Sequence, residues 1–264
     1  MILSLLKKHI QNKSIRNALI IFFVLGLCLL NYGKKTSYYI KSYRFYGDFW
    51  SRSRIIPERR DLSITPEPSG TSFQAYGVGM LLPWQYVMWI SNLFDDTLKD
   101  SDAIRCIRFG EEVLVSIINP RLATPTRYHL YLQSTDPADK LMFSRVFSDK
   151  FSSNFHFIKS SLFATPDISE IFTATRWESV LKFHQLNTKW MYILPIKDLG
   201  KVYFFETETS RGFQVGEPST NKYIRLYIFP NSGQEFEIGI SSREIGRITQ
   251  ENVDMIITSF HKIS

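Results

Sequence analysis

Residues 18–30 read ALIIFFVLGLCLL, thirteen positions without one polar side chain. A run of this kind lies in lipid, in a cleaved leader or in a protein core, and each choice dictates a different molecule. Extended to Ile15 and Gly33 it reaches 19 residues with Arg16 as its only charge. That is roughly 28 Å of helix, close to the hydrocarbon thickness of a bilayer. Spanning relies on Arg16, Lys34 and Lys35 reaching toward the headgroups. A cleaved leader shares the basic start and the apolar length but needs small residues spaced as A-x-A. Asn31, Tyr32, Gly33, Lys34 and Lys35 stand there instead, and Leu27, not a small residue, precedes Cys28. The run is read as one uncleaved anchor over residues 17–33 behind a short basic tail, residues 1–16. A mean hydropathy of −0.12 excludes a polytopic chain.

The charge follows the anchor. Up to Arg60 the chain holds twelve basic and two acidic side chains, a net +10, whereas residues 61–264 hold 20 basic and 23 acidic groups, a net −3. A nucleic-acid-binding domain carries its own basic excess. Here the excess brackets the apolar run, so no nucleic-acid partner is expected. Basic residues are nearly tied across the span, but a short tail before a large domain is the pattern of a signal anchor, with the domain on the extracytoplasmic side. The segment YYIKSYRFYGDFWSRSR at 38–54 mixes aromatic and basic side chains. Lys34, Lys35, Tyr38, Tyr39, Tyr43, Tyr46 and Trp50 are therefore expected at the lipid interface, with membrane lipid as a partner. A run from Ile55 to Thr71 with Pro57, Pro66, Pro68 and Gly70 reads as a linker. Residues 34–72 thus form a basic aromatic segment and a Pro-rich linker, and residues 73–264 a soluble domain.

Within that domain Phe73–Leu82 has strand composition, with Gly77 and Gly79 marking a bulge or close packing. Ile104–Phe109 and Glu112–Ile118 flank Gly110-Glu111 as a hairpin, and 128–132 reads as a further strand. Helices are predicted after Thr135-Asp136-Pro137, after Thr165-Pro166-Asp167, and from Thr175, where Glu178 completes a capping box. Trp177, Val180, Leu181 and His184 then share a helical face. Four strands follow at 202–205, 213–215, 223–229 and 235–240. In the last, Phe236, Ile238 and Ile240 alternate with Glu235, Glu237 and Gly239, one buried face and one wet face. A closing helix starts at Thr249, with Ile248 and Val253 as its staple. The class is α+β: an antiparallel sheet with packed helices, preceded by a single N-terminal transmembrane helix.

Leu82-Pro83-Trp84, the meander over 202–240 and the closing helix ending in Ser259-Phe260 resemble the PsbP-like family, a group that also contains small bacterial envelope lipoproteins. The resemblance covers the domain from Phe73 onward, apart from added helical material between Pro137 and Trp190. It implies a binding or assembly protein, and it transfers no functional residue.

Motifs for chemistry are sparse. His9, His129, His156, His184 and His261 match no metal-binding spacing. Cys106, flanked by Arg105 and Arg108, reads as a buried structural cysteine, because in a strand Arg105 and Cys106 point to opposite faces. Asp95, Asp96, Asp100 and Asp102 lack the glycine and glutamate of a calcium loop. No phosphate-binding, dinucleotide or nucleophile-elbow signature occurs, and no cofactor is expected. Trp84, Tyr86 and Trp89 are the candidates for a binding groove, against a reading in which they pack the core. The expected function is a membrane-anchored, non-catalytic binding or assembly module of the cell envelope with a protein partner. The alternatives are a membrane-anchored hydrolase whose active site is dispersed along the chain, and a peripheral lipid-binding module built on residues 34–54.

Overall fold

Period-two alternation governs the C-terminal half, and the strands it predicts are present. The computed structural model describes residues 54–63, 69–93, 104–120, 151, 153–167, 176–193, 201–231 and 235–263. The expected anchor at 17–33, the interface residues Lys34 to Trp50, the acidic run Asp95–Asp102, the strand at 128–132 and the helix after Pro137 lie outside them. Among the described residues no helix is long and apolar enough to cross a membrane. The chain divides into two compact units, Met1–Trp50 with Pro166–Phe183 and Ser51–Thr165 with His184–Ser264. Only Pro166, Asp167 and residues 176–183 of the first are described.

The elements in chain order are β1 (Glu58–Arg59), β2 (Thr71–Ala75), β3 (Val78–Leu82), β4 (Val87–Leu93), β5 (Ile104–Phe109), β6 (Val113–Ile118), α1 (Asn154–Phe163), α2 (Arg176–Ile193), β7 (Val202–Glu206), β8 (Ser210–Val215), β9 (Tyr223–Pro230), β10 (Phe236–Ser242), α3 (Gln250–Ser259) and β11 (His261–Lys262). Eight strands form one sheet in the order β1-β7-β8-β9-β10-β6-β5-β4, and β11-β3-β2 form a second. The class is α+β, as the sequence predicts. Every pair in the large sheet is antiparallel except β1–β7, which is parallel.

The sheet's side chains feed two cores, with β7 and β9 contributing to both. On one face Ile107, Val115, Ile224, Leu226, Ile228, Phe236, Ile238 and Ile240 pack with the small sheet (Phe73, Val78, Met80, Leu82) and with Val253, Ile256 and Ile257 of α3. On the other, Phe204, Phe213, Val215, Tyr227 and Phe229 pack with Phe155, Ile158 and Leu162 of α1 and with Tyr192 and Ile193 of α2. The expected wet face of β10 is therefore corrected. Glu235 accepts a hydrogen bond from the Tyr192 hydroxyl at 2.6 Å, and Glu237 pairs with Arg225 at 3.1 Å. α2 reaches the face of the sheet that a lone amphipathic hairpin would leave to water.

Local chemistry sets the boundaries. Thr249 caps α3 in a reciprocal box with Asn252, and Ile248 and Val253 are both buried beside it. Gly110 takes a left-handed conformation (φ 54°) in the β5–β6 turn. The run 73–82 is not one strand. Tyr76 and Gly77, at φ 53° and 79°, make a two-residue turn between β2 and β3. Gly79 does lie in close packing, since a Cβ there would meet the His261 ring at 2.7 Å. Helix α1, capped by Ser153, has no counterpart in the sequence reading.

The segment read as linker is, at residues 55–63, part of the fold. Ile55 packs against one core and Leu62 against the other, with β1 between them on the sheet edge. Arg60 forms a buried ion pair with Asp254 of α3 and donates to the Gln214 side chain at 2.9 Å. Asp254 also accepts from the Ser63 backbone at 3.0 Å and from Gln250 at 3.1 Å. Removing one partner of such a pair strands the other charge. Asp254→Ala should lower the stability of the full chain by about 3–5 kcal/mol, read as the shift of its urea unfolding midpoint. Conversely, a shift below ~1 kcal/mol would mean the pair is solvated like a surface bridge.

Candidate binding cleft

Leu82 is fully buried, and the chain leaves the core through Pro83 toward β4. Two hydrogen bonds pin this exit. The Thr71 hydroxyl donates to the Trp84 carbonyl at 2.6 Å, and the Gly110 amide donates to the Tyr86 carbonyl at 3.0 Å. The Trp84 ring lies half-buried against Phe109, with centroids 5.6 Å apart and planes tilted by 42°, and touches the first core. Tyr86 stands out beside it, 85 % exposed. Between them and the β5–β6 turn is an open cleft of 670 Å³ lined by Pro83, Trp84, Gln85, Tyr86, Phe109, Gly110, Glu111, Glu112, Val113 and Arg247.

Ion pairs rim the cleft. Arg247 meets Glu112 at 3.0 Å and Glu244 at 3.4 Å, and Arg243 meets Glu111 at 3.6 Å. All are exposed, so each adds little to stability, but together they present both signs of charge around an aromatic wall. A smaller depression of 320 Å³ adjoins it and shares Glu111, Glu112 and Val113.

Of the three aromatic candidates the structure brings two together. Trp84 and Tyr86 line the cleft. A register irregularity between Val87 and Trp89 places Trp89 opposite Arg108, and its side chain lies outside the described residues. Trp84 also satisfies the rival reading in part, because the same ring serves core and cleft. Glu111, Glu112 and Arg247 escaped the sequence reading: the first two sit in a turn, and Arg247 arrives from a loop more than a hundred residues away.

A second convergence of polar groups lies on the other face of the sheet. Arg225 donates to Tyr223 Oη at 3.2 Å and to Tyr227 Oη at 3.1 Å and pairs with Glu237. The Tyr192 and Tyr227 rings pack at a tilt of 56° with centroids 4.4 Å apart. Burial, then the Glu235 carboxylate, keeps the Tyr192 phenol well above its ordinary value, and burial, then Glu237, does the same to Tyr227. These phenols are protonated donors, not nucleophiles. Cys106 is a buried free thiol, pushed up by burial, in agreement with its structural reading. His156 meets Ser153 at 3.2 Å, His184 is buried on α2, and His261 meets the Ser259 carbonyl at 2.8 Å. Among the described residues no three His, Cys, Asp or Glu side chains are placed to hold a metal ion. No family model, curated protein or solved structure matches the chain.

Glu237 supplies a test of this second cluster. Burial raises its carboxyl above 4.5, and Arg225 pulls it partly back. A raised folded-state pKa means that the folded chain holds the proton more tightly. This contribution to stability is fully present below the unfolded pKa and is lost as pH rises through the folded one. Against wild type, Glu237→Gln should therefore gain relative stability as pH rises from ~4 to ~7 in chemical unfolding of the full chain. A loss of relative stability by Glu237→Gln over that range would show Arg225 outweighing burial.

Proposed function

We propose that the chain is a single-pass, membrane-anchored binding or assembly module of a cell envelope. Residues 17–33 span the membrane, the domain lies on the extracytoplasmic side, and the cleft at Trp84 and Tyr86 receives a peptide segment of an envelope partner. The observation that carries the binding reading is the pairing of a half-buried Trp84 with a solvent-facing Tyr86 along an open cleft rimmed by both signs of charge. Aromatic anchors at the centre and charges at the rim are the distribution of binding energy found in protein interfaces. Two hydrogen bonds, to the Trp84 and Tyr86 carbonyls, fix the wall before any ligand arrives, which lowers the entropy lost on binding. The buried thiol and protonated phenols support a non-catalytic role. The features that resemble the PsbP-like family imply the same class.

Random extended peptides selected against the full chain in lipid nanodiscs test this reading. Enriched peptides should lose at least about tenfold in affinity for Tyr86→Ala and be unaffected by Glu208→Ala, which is remote from the cleft. Peptides that bind Tyr86→Ala unchanged would place recognition elsewhere, and peptides cleaved during the assay would favour the hydrolase. Protease added outside intact cells should digest the domain; digestion only after the cytoplasmic side is opened would reverse the orientation.

A further inference from the structure

The smaller depression beside the cleft has a charge balance of its own. Arg108, Leu114 and Ser241 are register partners on β5, β6 and β10, so their side chains leave the same face of the sheet. Arg243 follows just past β10, where its amide donates to the Glu112 carbonyl at 3.1 Å. Two arginines thus flank Leu114 from the two neighbours of β6, whose backbones lie about 10 Å apart. Both line the depression, together with the Ser241 hydroxyl.

These arginines face two carboxylates, Glu111 and Glu112. Glu112 is committed to the cleft side, where it meets Arg247 at 3.0 Å. Glu244 also turns to Arg247, at 3.4 Å, and does not line the depression. Glu111 reaches Arg243 only at 3.6 Å, with both side chains mostly exposed. Arg108 donates to the Glu111 backbone carbonyl at 3.4 Å and has no carboxylate partner among the described residues. A carbonyl fills a hydrogen-bond position but leaves the charge whole. Two guanidinium groups therefore share one carboxylate, an excess of one positive charge.

We infer that this depression is a carboxylate subsite of the cleft: Arg108 and Arg243 hold an acidic group of the same peptide whose apolar part lies against Trp84 and Tyr86. The inference rests on the peptide reading of that cleft. The two hollows share Glu111, Glu112 and Val113 as a wall, so one extended segment can occupy both. Guanidinium and carboxylate are matched planar groups, and hydrogen bonds between them are charge-assisted. One carboxylate restores neutrality, whereas a phosphate group, at about −1.5 to −2, overshoots it. The carboxylate belongs to an Asp or Glu side chain or to the peptide's C-terminus.

The test takes N-acetylated peptides enriched on the full chain in nanodiscs and measures their affinity in matched forms. These are the selected form, a form with each Asp or Glu changed to Asn or Gln, and a form with an amidated C-terminus. One neutral form should bind about threefold to tenfold more weakly, and which one it is identifies the source of the carboxylate. Arg108→Gln should cost the selected form about threefold, and Arg108→Gln with Arg243→Gln about tenfold, as exposed pairs do. The neutral form should bind wild type and both variants alike, which also shows that the variants are folded. Where a variant loses the neutral form too, the difference between charged and neutral forms on wild type decides. Peptides that depend on Tyr86 but bind equally in all forms overturn the subsite and leave the cleft standing. A carboxylate effect that persists in the double variant places the acidic group elsewhere and overturns the subsite as well. Peptides that need the arginines but bind Tyr86→Ala unchanged overturn the cleft instead, and if no peptide is enriched both fall.

Discussion

The Arg60 guanidinium and the Asp254 carboxylate meet where three parts of the chain converge: the strap over residues 55–63, strand β8 through Gln214, and the first turns of α3. Two charges taken out of water are stabilising together only if their remaining hydrogen-bond positions are filled. Here they largely are. Asp254 accepts from Ser63 and Gln250, Gln214 bridges to Gln250 and to the Gly216 carbonyl, and the guanidinium lies 5.6 Å from the Tyr203 ring centre. Only Arg60 Nε is without a hydrogen-bond partner among these groups. The pair makes the strap compulsory: α3 cannot bury its carboxylate without residue 60, and β7 cannot close its edge without residues 58 and 59. The arginine that ends the basic N-terminal stretch is thus neutralised inside the domain, and the positive excess near the expected anchor is smaller than the sequence count suggests.

A sheet covered on both faces sets the second constraint. Between β7 and β9 side chains of both parities are buried, so the polar residues there must pair with one another. Arg225 takes up two phenols and a carboxylate, and Tyr192 reaches from α2 to Glu235. Close packing extends to the backbone: at Gly212, between β7 and β9, a Cβ would stand 2.1 Å from the Tyr227 carbonyl oxygen. Glycine is required there by the approach of the neighbouring strand, not by its own dihedral angles.

What the sequence shows of this fold is what local rules can carry. The β5–β6 hairpin is legible from Gly110 between two β-rich runs, the strands from 202 to 242 from their alternation, and α3 from Thr249 and its staple. β1 is hidden because it is two charged residues among prolines, and its place depends on β7, more than 140 positions away. The Tyr76-Gly77 turn is hidden because tyrosine is an uncommon residue at positive φ. Packing on the core and the Arg105 guanidinium 5.6 Å from its ring accompany it there. Asp254 reads as a solvated helix residue until its partner, 194 positions away, is known. The cleft divides along the same line. Trp84 and Tyr86 are visible as neighbours in sequence, and Arg247 enters only through the tertiary fold.

The two ends of the large sheet then acquire different roles. One is sealed by the strap through which the chain enters the domain; the other carries the aromatic cleft and the apolar β4. Seven strand spacings separate them, up to ~34 Å along the sheet. A side chain at Tyr86 is thereby held well away from residue 54 by the sheet. The length of the separation comes from the number of strands; the first core runs under β5, β6, β9 and β10, and the second covers β7 to β9. The Arg60–Asp254 pair ties the strap at the first of these edges to α3.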